Sequence, residues 1–177
     1  MKYQKGFTLV EVLVVAALMG FMSLVLIRNF GQSRLDLNEA ANIVLADVRA
    51  MQTKVISGAQ YASLIRCGYG IERNSTTTYR LYAGPTPSNN NTNCTSYDRN
   101  YNSSGAIGSR DVQIELKNLK DSTRLEFKTT FNDIYFEPIE PKVYINSSFV
   151  LTNPAERITI GIIGQACNAT NCKSICV

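Results

Sequence analysis

The sequence predicts an α+β chain, one long N-terminal helix backed by an antiparallel sheet, and three observations predict it. An apolar run from Phe7 to Ile27 holds a single charged residue, Glu11. The stretch that follows, to about Ser57, places apolar residues three or four positions apart. After Gly58 the period shifts to the alternation of strands, with turn residues between them.

The apolar run comes first in the chain. Its 21 residues would span about 32 Å as a helix, enough to cross a hydrocarbon core of about 30 Å. Lys2 and Lys5 precede it, which places the N-terminus in the cytoplasm, although Arg28 and Arg34 on the far side weaken the bias. An ordinary secretory signal would have a shorter apolar region ending at a small-x-small site, and neither feature is present. A plain single-pass anchor would have the right length but would leave Glu11 unexplained. A carboxylate inside a membrane helix costs on the order of 3 kcal/mol and needs a partner.

Beyond Gly31, Leu37, Ala41, Val44, Val48, Met51 and Val55 form one helical stripe, with Asp36, Glu39, Asp47, Arg49 and Lys54 mostly off it. No proline interrupts residues 7–57, and Gly58 is the expected C-cap. Strands are expected at Gly68–Arg73 and Thr78–Ala83, as a hairpin around Asn74-Ser75, then at Val112–Leu116, Arg124–Thr130, Ile134–Phe136, Ser148–Leu151 and Arg157–Ile163. The tract Gly84–Ser109, rich in Asn, Ser, Thr and Gly, reads as an exposed loop, and Pro138 and Pro141 as breaks. Tyr79 and Tyr82 read as strand packing, Tyr97 and Tyr101 as exposed loop residues, and Asp98 and Asp111 as solvated acids.

Composition removes several function classes. The net charge is +4, and without residues 1–6 it rests on 16 basic against 14 acidic residues, too mild for a nucleic-acid binder. There is no histidine, so no His-based triad or His metal site is expected, and no catalytic residues, cofactor or metal. The five cysteines, Cys67, Cys94, Cys167, Cys172 and Cys176, all lie downstream of the apolar run. That distribution suits disulfides formed outside the cytoplasm better than a zinc site. Hairpin register brings Cys67 near residues 84–86, so a Cys67–Cys94 bridge is geometrically reasonable. Spacing alone does not fix the connectivity.

The segment Gly6-Phe7-Thr8-Leu9-Val10-Glu11 resembles the prepilin peptidase recognition site of type IV pilins and pseudopilins. The resemblance implies a leader, residues 1–6, cut between Gly6 and Phe7 on the cytoplasmic face, and N-methylation of the new Phe7 amine. It implies a transmembrane and filament-core helix over 7–30, an amphipathic continuation over 31–57, and a β-rich head over 58–177 in a pilin fold. Glu11 would serve filament assembly by neutralising the Phe7 amine of a neighbouring subunit. Cys167 would close a small loop with Cys172 or Cys176. The order of helix, hairpin, loop and strands is similar to H-type minor pseudopilins and minor pilins of the FimT/FimU type, although Gln165 stands where a basic residue would be expected.

The implied function is structural, not enzymatic: a minor pilin of a type IV pilus, with a type II secretion pseudopilin as the alternative. The implied partners are other pilins or pseudopilins, the prepilin peptidase, the inner-membrane assembly platform and, before assembly, membrane lipid. The chain would move from the inner membrane to a periplasmic or cell-surface filament. A third reading is an adhesin or DNA-uptake pilin using residues 84–109, with nucleic acid the least favoured partner.

Overall fold

The computed structural model describes residues 8–87, 94, 98–104, 110–120, 122–129, 131–138, 142–146, 148–149, 157–169 and 171–176, without the side chains of 26–33, 148–149 and 176. The chain is α+β. One helix, α1 (Leu9–Ile56), precedes nine strands: β1 (Tyr69–Arg73), β2 (Thr78–Ala83), β3 (Val112–Asn118), β4 (Leu125–Phe127), β5 (Asp133–Glu137), β6 (Lys142–Ile145), β7 (Ser148–Phe149), β8 (Arg157–Ile162) and β9 (Cys172–Cys176). Met1–Asp36 and Leu37–Val177 are separate compact units and are described in turn.

In the first unit the described side chains from Leu9 to Val25 are exposed, Leu9 at 79% and Phe21 at 68% among them. Among the described residues, no helix is long and apolar enough to cross a membrane. The span expected from the sequence, Phe7–Ile27, begins and ends outside the described side chains.

The second unit holds the core. The stripe of α1 is buried at Leu37, Ala41, Val44, Val48, Met51 and Val55, as its spacing requires, and Ala40 joins it. Asp47 flanks the stripe and is only half-buried. It accepts from Tyr79 Oη of β2 at 2.6 Å and from Lys117 Nζ of β3 at 2.8 Å, which ties the helix to the sheet. The helix ends as the sequence suggests. Gly58 takes φ +62°, its N–H donates to Val55 O at 3.1 Å, and Ala59 N–H donates to Lys54 O at 3.0 Å. These two bonds satisfy carbonyls that the last turn would otherwise leave open.

The larger sheet runs β3-β2-β1-β5-β6-β7, and a smaller one β4-β8-β9, every pair antiparallel. Alternation sends Tyr69, Ile71, Tyr79, Leu81, Ile134, Phe136 and Ile145 into the same core as the helix stripe. The smaller sheet adds Leu125, Phe127, Ile158, Ile160 and Ile175, and Phe127 meets Tyr79 edge-on with centroids 6.0 Å apart. Two strands depart from expectation. β6 lies just beyond Pro141 and pairs with β5, Glu137 opposite Lys142, so the prolines mark a hairpin connection and not the end of strand structure. Arg157–Ile162 is not the last strand, because β9 pairs along it from Arg157↔Cys176 to Gly161↔Cys172.

The sheet face away from the helix is also covered. Tyr82 lies across Gly70, where an added Cβ would stand 2.3 Å from its Cζ, and Tyr135 lies against Gly84, where a Cβ would stand 2.4 Å from its Oη. The two rings stack with centroids 6.1 Å apart. Residues 98–104 return over them. Tyr101 meets Tyr82 edge-on at 5.1 Å, and Arg99 pairs with Glu137 at 2.8 Å. Tyr101 is therefore a half-buried packing residue and not an exposed one; Tyr97 lies outside the described residues.

Candidate assembly site

Gly6 and Phe7 lie outside the described residues; the site is described from Thr8 onward. Thr8 is the residue before the first helical position, and Glu11 is the third within the helix. Thr8 N–H and Oγ1–H both donate to Glu11 Oε2 at 3.0 Å. Glu11 N–H donates back to Thr8 Oγ1 at 3.3 Å. This is a capping box, in which side chains at the two positions satisfy each other's open backbone groups. The spacing Thr8-Leu9-Val10-Glu11 carries that signal in the sequence, and sequence reasoning missed it because it read Glu11 only as a charge in search of a cation. Among the described residues Glu11 takes part in no ion pair.

Around Glu11 the surface is apolar. Val10, Val12, Leu13, Val14 and Val15 are all at least half exposed, and Glu11, Val12, Val15, Ala16 and Met19 line one shallow cavity of about 350 Å³. An apolar face this continuous is covered in use, by lipid or by protein. A carboxylate set among such side chains stays charged only where donors or a cation compensate its lost hydration. The two Thr8 donors do part of this before any partner arrives.

The cysteines lie at the other end of the chain. Cys67 is bridged to Cys94 and Cys167 to Cys172, with Cα atoms 5.4 Å apart in each pair; the side chain of Cys176 lies outside the description. Cys67 N–H donates to Pro85 O at 2.8 Å, so the hairpin register reaches the first bridge as the spacing suggested. No group of three or more Cys, His, Asp or Glu side chains that could hold a metal occurs among the described residues.

Two head carboxylates expected to be solvated or unremarked are buried instead. Asp111 Oδ2 accepts from Asn102 N–H at 2.6 Å, and burial pushes its pKa up to about 7 against that bond. Asp133, 1% exposed, accepts from Tyr82 Oη at 2.5 Å and Tyr101 N–H at 2.7 Å. Burial pushes it up to about 8, with both bonds opposing. Together they clasp Tyr101 and Asn102 to the sheet. Asp98 is exposed.

Residues 1–27 match the Prokaryotic N-terminal methylation motif. Neither a curated protein nor a solved structure matches the chain. The motif implies processing by prepilin peptidase, anchoring in the inner membrane before assembly, and assembly with pilins, and the proteins that carry it in this way are typically structural. With that motif in front of a helix and antiparallel sheets, the chain is similar to type IV pilins in its N-terminal motif and its α+β order.

Proposed function

We propose that this chain is a minor pilin of a type IV pilus, cut between Gly6 and Phe7, methylated on the Phe7 amine and assembled through its N-terminal helix. The observation that carries the reading is the largely apolar surface from Leu9 to Val25, in which Glu11 is the one charged residue, in a chain that bears the methylation motif. Each large apolar side chain there gains about 1.5–3 kcal/mol on burial, so lipid first and neighbouring helices later are its natural surroundings. In the filament, Glu11 pairs with the Phe7 amine of a neighbour, and the Thr8 donors hold the carboxylate until that cation arrives.

Mass spectrometry of sheared surface filaments, beside the membrane fraction, tests the reading. A peptide beginning at N-methylated Phe7 in the fibres is the expected result. The same peptide in membranes alone would move the assignment to a type II secretion pseudopilin. A chain uncut at Gly6 in both fractions would overturn both.

A further inference from the structure

In the second unit a cavity of about 350 Å³ opens beside the end of α1, between Val55, Ile65, Tyr69, Pro87 and Pro138. Two cations line it, Lys54 and Arg66, and no acidic residue does. Arg66 is 8% exposed. Its Nη1 donates to Gly84 O at 3.3 Å, and its Nε is buried without a hydrogen-bond partner. Among the described residues no carboxylate forms an ion pair with it. A buried guanidinium is stable when its charge is paired and its donors are used. Here the donor spent is on the Nη1 side. The guanidinium carbon lies 5.9 Å from the Tyr61 ring centroid, and with Nε unbonded a planar fork suited to the two oxygens of a carboxylate keeps an unspent donor.

The segment leading into Ile65 adds a second observation. Ala62 and Ser63 both adopt positive φ, 54° and 61°, a conformation that costs non-glycine residues energy and persists where the surroundings enforce it. Tyr61 and Leu64 close this turn with reciprocal backbone bonds at 3.1 and 3.2 Å. Just after this turn Ile65, half exposed, lines the cavity. Apolar lining residues and a guanidinium with an unspent donor suit a carboxylate on a short apolar stem.

We infer that this cavity is a socket for an Asp or Glu side chain, presented on an apolar segment of a neighbouring pilin-type subunit and received by the guanidinium of Arg66. The identity of the neighbour rests on the filament reading above; the carboxylate chemistry of the socket does not.

Two experiments separate these levels. The full chain in a nonionic detergent, with arginine side chains labelled with nitrogen-15, is titrated with hexanoate and, as control, hexanol. A saturable shift of the Arg66 Nε–H resonance by hexanoate and none by hexanol is expected. Arg66→Gln, checked for folding by retention of both bridges, should weaken hexanoate binding about tenfold or more. No shift with hexanoate, or an equal shift with hexanol, would overturn the socket on the wild-type chain alone. In cells, a photo-crosslinking residue at position 65 should capture an acidic peptide of a pilin-type subunit. Capture of lipid, or of a peptide without Asp or Glu, would overturn the occupant. If the chain is never processed at Phe7, the filament reading fails while the hexanoate result still decides the socket.

Discussion

Glu11 has two possible duties, and single substitutions separate them. As the distal half of the capping box it contributes about 1 kcal/mol to the start of α1. As the partner of a neighbour's amine it matters only in the assembled filament. Thr8→Val removes the hydroxyl bonds and keeps the carboxylate. Glu11→Ala removes both duties. Chains carrying Thr8→Val should appear in sheared fibres at near the normal level, whereas Glu11→Ala chains should stay in the membrane fraction. Equal loss from fibres would mean that capping, and not charge pairing, is what Glu11 supplies. A second residue-level expectation concerns Gly70. A Cβ there would meet the Tyr82 ring at 2.3 Å, and forcing the ring aside should cost about 1–3 kcal/mol, read as a lower midpoint in chemical denaturation with an unchanged slope.

Among the elements, the returning tract and β5 form a unit with its own pH response. Asp111 and Asp133 hold their protons in the folded head to about 7 and about 8, while in an unfolded chain Asp titrates near about 3.9. The folded state therefore binds more protons across that interval, so the stability from these groups is full below about pH 4 and is lost as the pH rises toward 8. The thermal midpoint of the head should fall between pH 5 and pH 9. Asp133→Asn, which keeps an uncharged group of the same shape between Tyr82 and Tyr101, should flatten that fall; an unchanged slope would count against Asp133 as its source. None of this clasp was legible in the sequence. Periodicity located the stripe of α1, its Gly58 cap and the first hairpin, because each obeys a local rule: spacing, a left-handed glycine, an alternation bounded by Asn and Ser. It missed β6, whose four residues sit close behind a proline, and β9, whose Cys-Lys-Ser-Ile-Cys alternation was read only as disulfide spacing. Burial of Asp133 depends on Tyr101 arriving from 32 positions away, and no local pattern encodes that. One hint was present. Gly70, inside a strand of otherwise good strand formers, marks a place where something approaches the backbone closely.

Taken as a molecule, the chain joins an apolar segment with no described covalent crosslink to a head that carries two. The Cys67–Cys94 bridge closes a loop of 27 positions and Cys167–Cys172 one of 5. In the chain-entropy view these contribute about 3.5 and about 2 kcal/mol. Reduction should therefore destabilise the head more through the first bridge than the second, and Cys67→Ser/Cys94→Ser should lower its denaturation midpoint further than Cys167→Ser/Cys172→Ser. The reverse order would place the burden on the C-terminal loop instead. Under the proposed cut on the cytoplasmic side, neither pair should affect processing at Phe7.

The tyrosine slab on the outer sheet face also gives the molecule a colour of its own. The chain has nine tyrosines and no tryptophan, so its near-ultraviolet absorption and emission belong largely to phenol rings. Tyr82 and Tyr135, stacked 24° from parallel, with Tyr101 edge-on to the first, couple their transitions inside a chiral frame. Tyr82 is also bonded to a carboxyl, an arrangement that quenches its light. Residues 8–36 contain no tyrosine. Apart from Tyr3 in residues 1–6, every tyrosine lies beyond residue 60, so in a chain cut after Gly6 circular dichroism and emission in this band report the head. Folding of the head in the purified chain can be followed without a label in detergent or in reconstituted lipid, while the helix stays dark.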